Sequence, residues 1–122
     1  MYSTAAALKT FFSGFGLPAY DVESVPPDVT LPYITYSVSD PEWRQKASIY
    51  AQIWYRTTSN TQVSRKADQI LADIGEGKRI DLAEGGHLLI WPENPACQIL
   101  KDGDIRYAYI NLSINSYHIP GI

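Results

Sequence analysis

The closest cluster of side chains that could do chemistry is Asp81, Glu84 and His87, at positions i, i+3 and i+6. Two carboxylates and an imidazole can hold a divalent metal ion or transfer protons. Gly85 and Gly86, however, interrupt any helix that would keep the three on one face. The turn chemistry therefore predicts a solvated polar loop that leads into a strand. A small metal-dependent α+β enzyme is the functional alternative.

The remaining reactive residues stand alone. Cys97 is the single cysteine, and residues 95–99 provide neither a base nor a cation that would activate it, so we expect a buried small apolar side chain. His118 has no partner nearby in the sequence and is predicted to face solvent at the end of a strand. The glycines form no phosphate-binding or dinucleotide-binding loop. We therefore predict a protein that is not an enzyme and has no catalytic residues, cofactor or metal ion.

Composition and charge exclude several classes of protein. The chain has 122 residues, of which 45% are hydrophobic and 19% charged, which is typical of one folded domain with a single core. A formal net charge of -3 and a single cysteine argue against a nucleic-acid reader and a disulfide framework. No apolar run approaches the roughly 20 residues that cross a bilayer, and the first residues lack the basic start of a signal peptide. We expect a soluble protein made in a cytoplasm.

The first half of the chain predicts a helix, a proline-rich arm and two strands. Residues 8–15 place four large apolar side chains at helical spacing, with Ser3 or Thr4 as the N-cap and Gly14 or Gly16 as the stop. Residues 17–31 contain three prolines, which disfavour regular hydrogen-bonded structure, and we expect an ordered arm there. Alternating β-branched and aromatic residues then predict strands over 33–38 and 47–57.

The second half predicts a helix followed by three strands. A capping box at 59–62 opens the helix, whose apolar residues Val63, Ala67, Ile70, Leu71 and Ile74 precede Gly75. Strands are expected at 87–91, ended by Pro92, and at 98–100, with Asp102-Gly103 as a hairpin turn. The last strand, 105–118, would be roughly 45 Å long and must bend, bulge or project. The whole chain, 1–122, is predicted to be an α+β domain, a mainly antiparallel sheet with two helices on one face.

Aromatic and amide side chains gather on one parity of these strands. Tyr50 and Trp54 share a face of the second strand, and Tyr107 and Tyr109 share a face of the last. Such a composition is typical of protein contact surfaces, although the same rings could simply cover a sheet face beneath a helix. Both interpretations remain open from the residues alone.

The order of these segments resembles a known family. An N-terminal helix is followed by Leu17-Pro18-Ala19-Tyr20, by Pro32-Tyr33-Ile34-Thr35-Tyr36, by a strand with Ile53-Trp54-Tyr55 and by a helix opened by Ser59-Asn60-Thr61. This order, together with the closing Arg106-Tyr107-Ala108-Tyr109 strand, is similar to the tail-terminator or tail-completion proteins of long-tailed bacteriophages. The match is weakest over 92–104.

The resemblance implies a subunit of the virion, assembled in the host cytoplasm, that forms a ring, commonly a hexamer. Such a ring sits on the head-proximal end of the tail tube, stops addition of tube subunits and offers a surface to the head connector or adaptor. DNA passes through the lumen without specific binding, and no membrane is involved. Another head-to-tail joining protein, such as a head-completion or minor capsid protein, is the nearest alternative.

The residues and the resemblance together predict where the subunit meets its partners. The expected interface residues are Arg44, Tyr50, Trp54, Tyr107 and Tyr109. The loops at 40–46 and 93–103 are expected to meet the tail tube or the head.

Overall fold

A computed structural model of the protein describes residues 2–39, 41 and 45–117. Within these residues the helices are α1 (Tyr2–Phe12) and α2 (Thr61–Ile74), and 3-10 turns cover Ser13–Phe15 and Val22–Ser24. The strands are β1 (Ala19–Asp21), β2 (Tyr33–Tyr36), β3 (Lys46–Arg56), β4 (Lys78–Asp81), β5 (His87–Asp102) and β6 (Ile105–Tyr117).

The strands form one curled sheet in the order β1-β2-β3-β6-β5-β4. β1 runs parallel to β2, and every other neighbouring pair is antiparallel. The long β6 lies in the middle, paired with β3 from Ile105 to Asn115 and with β5 on its other side. Its length is thus matched by two long neighbours, and it does not project from the sheet. The predicted α+β class, with helices on a mainly antiparallel sheet, is confirmed.

Alternation along the central strands separates the two faces of the sheet. Ile49, Ala51 and Ile53 of β3 point into the core, as do the even-numbered residues from Ala108 to Ile114 of β6. The predicted parity of both strands is confirmed. Because successive side chains point to opposite sides, the odd-numbered residues of β6 lie on the other face. We call that second face, which lies opposite the helices, the open face.

Both helices pack against the core face. The buried residues of α2 are Val63, Ala67, Ile70 and Ile74, and this helix contacts β3, β5 and β6. In α1, Phe12 is fully buried and stacks on Tyr36 of β2, with ring centroids 5.2 Å apart. α1 also contacts both β1 and β4, which are the two edges of the sheet. A flat six-stranded sheet could not bring both edges to one helix, so the sheet curls around the core.

The starts of both helices differ from the predicted caps. Ser3 and Thr4 lie inside α1 rather than at its N-cap. At α2 the Ser59 hydroxyl accepts a hydrogen bond from the Thr61 amide at 3.2 Å, and no reciprocal bond with Gln62 closes a capping box. The stops agree better with the sequence, because Gly16 follows the 3-10 turn after α1 with φ 83° and Gly75 ends α2 with φ 59°.

The predicted arm, residues 17–31, is more regular than its prolines suggest. Residues 19–21 form β1, in which Ala19 is buried and pairs with Ile34. The Ile34 amide also donates to the Pro18 carbonyl at 2.8 Å. The expectation that no regular hydrogen bonding forms there was wrong for β1, since a three-residue edge strand fits between Pro18 and Pro26 without requiring an amide from either. This part of the arm therefore packs on its own subunit.

A single strand, β5, replaces the two strands predicted at 87–91 and 98–100. It continues through both prolines with a register shift between Pro92 and Cys97 opposite β6. The predicted stop at Pro92 and the predicted loop at 93–103 were therefore wrong. A bulge accommodates residues that cannot donate ladder hydrogen bonds, so pairing resumes beyond them.

Two smaller features were also misplaced or missed. The register pairs Asp102 with Ile105, so Gly103 and Asp104 form the two-residue turn, one position later than predicted. Gly103 has φ 60°, a conformation that glycine adopts without steric cost. The short edge strand β4 was not predicted, because Lys78–Asp81 carries mostly charged residues.

Candidate functional site

The open face holds four of the five predicted interface residues in two stacked pairs. Tyr50 and Tyr109 stack with centroids 5.1 Å apart and ring planes at 18°. Trp54 and Tyr107 stack at 4.4 Å and 20°. All four side chains are half-buried, so part of each ring faces solvent. Arg44 lies outside the described residues.

The strand register explains the pairing. Trp54 and Tyr107 are direct partners across β3 and β6. Tyr50 pairs with Asn111, and Gln52 pairs with Tyr109, so the Tyr50 and Tyr109 rings meet along the diagonal. Aromatic side chains are long enough to reach a diagonal neighbour. The two stacks therefore form one aromatic surface along the middle of the open face.

Hydrogen bonds beneath this surface fix the indole of Trp54. Its Nε1 donates to the Thr35 Oγ1 at 3.0 Å, and that hydroxyl donates to Gln52 Oε1 at 3.2 Å. Thr35 is only 4% exposed. Because the indole N–H of Trp54 is already hydrogen-bonded within the subunit, the exposed part of the ring is apolar. Thr35 was not among the predicted site residues, although the alternation of residues 33–38 places it on the same face as Ser37.

The other end of the open face is polar. Glu93 accepts a hydrogen bond from the buried Ser113 hydroxyl and lies 3.8 Å from the Lys46 ammonium. Asn111 donates from Nδ2 to the Pro95 carbonyl at 2.9 Å, within the stretch where the register of β5 shifts. Lys46, Glu93 and Pro95 belong to the stretches 40–46 and 93–103 that were expected to meet the tube or head. Ser113 and Asn111 of β6 pair with them to form a polar cluster.

The Asp81, Glu84 and His87 cluster does not converge on a metal site. Asp81 pairs with Arg79 at 2.9 Å, and His87 stacks on Tyr117 with centroids 5.1 Å apart. Glu84 lies in the exposed turn after β4, which is closed by a Gly85 amide to Leu82 carbonyl bond of 3.2 Å. Across residues 2–39, 41 and 45–117, no group of three such side chains could hold a metal ion. The interpretation as a polar turn before a strand agrees with this placement. His118 lies outside the described residues.

The surroundings of Cys97 and Tyr109 raise the pKa of both side chains. Burial, with a smaller contribution from the negative charge of Asp68, raises the pKa of the Cys97 thiol. The side chain packs against the core but is half-buried, not fully buried as expected, and its thiolate form is disfavoured. Burial, and secondarily the Tyr50 phenol, raises the pKa of Tyr109. Both groups are therefore neutral at pH 7.

Two surface features were not predicted from the sequence. Leu100 is 40% exposed near the end of β5. A groove of about 400 Å³ runs between α1 and β4, lined by residues that include Phe11, Ile80 and Glu84. The alternation along 98–102 could have placed Leu100 on the open face, whereas the groove depends on how the curled sheet meets α1.

Comparison with models of protein families and with curated proteins found no match to this chain. None of the helices in the described part of the chain is long and apolar enough to span a membrane.

Proposed function

We propose that the chain is a structural subunit that assembles into a ring, a hexamer by resemblance, on the head-proximal end of a bacteriophage tail tube. The ring ends tube polymerisation and offers its other side to the head connector or adaptor. The subunit acts in the virion, after assembly in the host cytoplasm, and uses no catalytic residue, cofactor or metal ion.

The observation that carries this proposal is the aromatic surface of the open face. Its rings are half-exposed, held in place by stacking, and backed by a satisfied hydrogen-bond network at Thr35. Rigid aromatic side chains with little conformational freedom left to lose are the usual anchors of protein interfaces. Pairing of β3 and β6 over eleven positions makes their support stiff.

The proposed mechanism is geometric. Subunits that contact each other through two different surfaces form a closed ring when the rotation between neighbours divides a full turn. One side of the ring is complementary to the last ring of tube subunits. The other side does not resemble the end of the tube, so no further tube subunit binds there and tube growth stops. The net charge of -3 suits a lumen through which DNA passes without being gripped.

The test is a tube-growth experiment with two variants. Purified chain is added to polymerising tail-tube subunits, and tube lengths are measured by electron microscopy. We expect capped tubes of restricted length with the wild type, longer tubes with Trp54→Ala, and restricted tubes with Gln69→Ala, which changes an exposed residue of α2. Wild-type chain that leaves tube length unchanged would contradict the proposal.

A pull-down separates the nearest alternative. Immobilised wild-type chain is offered tail-tube subunits and, separately, portal or adaptor subunits. Retention of the tube subunits supports a terminator. Retention of portal or adaptor subunits alone would instead indicate a head-completion or other joining protein.

A further inference from the structure

Leu100 stands out on the surface of the subunit. It is the one large apolar side chain that is exposed among residues 2–39, 41 and 45–117. Its register partner on β6 is Tyr107, which stacks on Trp54. Leu100, Tyr107 and Trp54 therefore form a continuous apolar patch near the tip of the β5–β6 hairpin, which we call the hairpin patch. It extends the aromatic surface to the end of the sheet.

A matching concavity lies between α1 and β4. This α1–β4 groove has a volume of about 400 Å³, and Phe11, Ile80, Ala6 and Ala7 supply most of its apolar lining. Its rim carries the charged residues Lys78, Arg79, Asp81 and Glu84. An apolar floor with a charged rim is the arrangement expected for a pocket that receives an apolar side chain of a protein partner.

The patch and the groove lie at opposite ends of the subunit. β4 pairs with β5 only between His87 and Ile90, whereas Leu100 lies ten residues further along the same strand. Because β5 bulges, β6 spans the same interval in the seven residues from Ile114 to Tyr107. At about 3.3 Å per residue the separation is roughly 23 Å, so one subunit cannot fill its own groove. Two complementary surfaces at opposite ends produce a head-to-tail contact, which is the kind that builds rings.

The charges beside the two surfaces are also complementary. Lys101 follows Leu100, and Glu84 lies at the rim of the groove; both are exposed. Neither forms an ion pair with another described residue, whereas Lys78 pairs with Asp73 at 3.5 Å and Arg79 with Asp81 at 2.9 Å. Lys101 points to the opposite face of β5 from Leu100. Its long, flexible side chain lies next to the hairpin tip, so a contact that seats Leu100 in the groove leaves the Lys101 ammonium free to turn toward the Glu84 carboxylate.

We infer that the hairpin patch of one subunit docks into the α1–β4 groove of a second copy of the chain, with Leu100 as the inserted side chain. The inference rests on the proposed ring and specifies which two surfaces form its repeating contact. This contact also explains why the aromatic surface extends to the tip of the hairpin and is not covered by a helix.

Cysteine cross-linking tests this contact directly. In a Cys97→Ser background, Leu100→Cys chain is mixed with Ala6→Cys chain, and a mild oxidant such as diamide converts juxtaposed thiols to a disulfide. The control partner is Ala72→Cys, an exposed alanine on α2 outside the groove. We expect the mixed dimer with Ala6→Cys to form at least about tenfold faster than with the control, because docking raises the effective concentration. Equal rates would overturn the inference.

A charge exchange provides the second test, with solution mass by light scattering as the readout. Lys101→Glu and Glu84→Lys are each expected to raise the concentration at half-assembly by roughly two- to fivefold, which is the range of a single exposed ion pair. The double exchange should return it toward the wild-type value. Leu100→Asp should raise it at least about tenfold. Single exchanges without effect, or a double exchange that adds the two losses, would argue against the contact.

The proposed function and this inference can fail separately. Rings that cap tubes but form normally with Leu100→Asp would keep the terminator function and remove the docking contact. A specific cross-link with no effect of the wild type on tube length would keep the contact and remove the terminator function. Cysteine variants that show no preferential cross-link, together with a wild-type chain that does not assemble, would remove the docking contact.

Discussion

Trp54 and Tyr107 lie far apart in the sequence, yet their rings stack with centroids 4.4 Å apart and planes at 20° across β3 and β6. This pair links the strand that follows the proline-rich arm to the strand that closes the chain. A double-mutant cycle with Trp54→Ala and Tyr107→Ala should give a coupling of about 0.5–1.5 kcal/mol in the free energy of unfolding. Urea denaturation of the four proteins measures it, and a coupling near zero would show that the stack is not formed in solution.

Assembly should depend on the aromatic surface beyond its effect on folding. Trp54→Ala and Tyr109→Ala are expected to weaken self-association by at least about 1–2 kcal/mol each if the rings are anchors. Analytical ultracentrifugation over a concentration series gives this value, with Gln69→Ala on the exposed side of α2 as the control. Unchanged association of both variants, with folding intact by circular dichroism, would remove these residues from the interface.

The ion pair between Arg56 and Asp104, beside the β5–β6 hairpin turn, should weaken at low pH. The Arg56 guanidinium donates to both Asp104 carboxylate oxygens, at 3.0 and 2.8 Å, and this hydrogen bonding lowers the pKa of Asp104. A carboxylate whose pKa is lower in the folded than in the unfolded state stabilises the fold at pH values above its unfolded pKa, which is near 4. This contribution is lost as the pH falls through the pKa of the folded state. We expect the NMR titration of Asp104 to shift to higher pH in Arg56→Gln and to stay unchanged in Lys78→Gln. Identical titrations in wild type and Arg56→Gln would exclude the pair.

Cys97 should react slowly. Because burial, followed by the charge of Asp68, raises the pKa of its thiol, little thiolate forms near neutral pH. Alkylation by iodoacetamide at pH 7.5, followed by mass spectrometry, should therefore be slower than alkylation of free glutathione. Unfolding in guanidinium chloride should remove the difference. A rate in the folded protein equal to that of glutathione would place Cys97 in a more exposed, more polar setting.

The centre of the core should tolerate little loss of volume. Ile110 lies on the core face of β6 and is fully buried. Ile110→Ala should destabilise the protein by about 2–5 kcal/mol, and Ile110→Val by about 0.5–1.5 kcal/mol, since each leaves a cavity of different size. Thermal or urea denaturation measures both. Equal costs for the two variants would mean that the site relaxes around the missing atoms.

The sequence by itself was sufficient to predict the helices and strands that have a local pattern of apolar residues. The apolar period of α2, the alternation of β3 and β6 and the fold class were predicted from short-range spacing, because a side chain's direction in a helix or strand repeats with a fixed period. The face that carries Tyr50, Trp54, Tyr107 and Tyr109 followed from the same rule. The prediction that these residues meet a partner remains to be tested by the experiments above.

Only the tertiary structure decided where those elements meet. The stacking of Trp54 on Tyr107 depends on the register between distant strands, and the continuation of β5 past its prolines depends on a bulge that β6 supports. The α1–β4 groove exists because the sheet curls until its edge reaches the first helix. Register, bulge and curl are set by contacts between residues far apart in the chain, and a local sequence pattern carries no record of which distant strand will lie beside it.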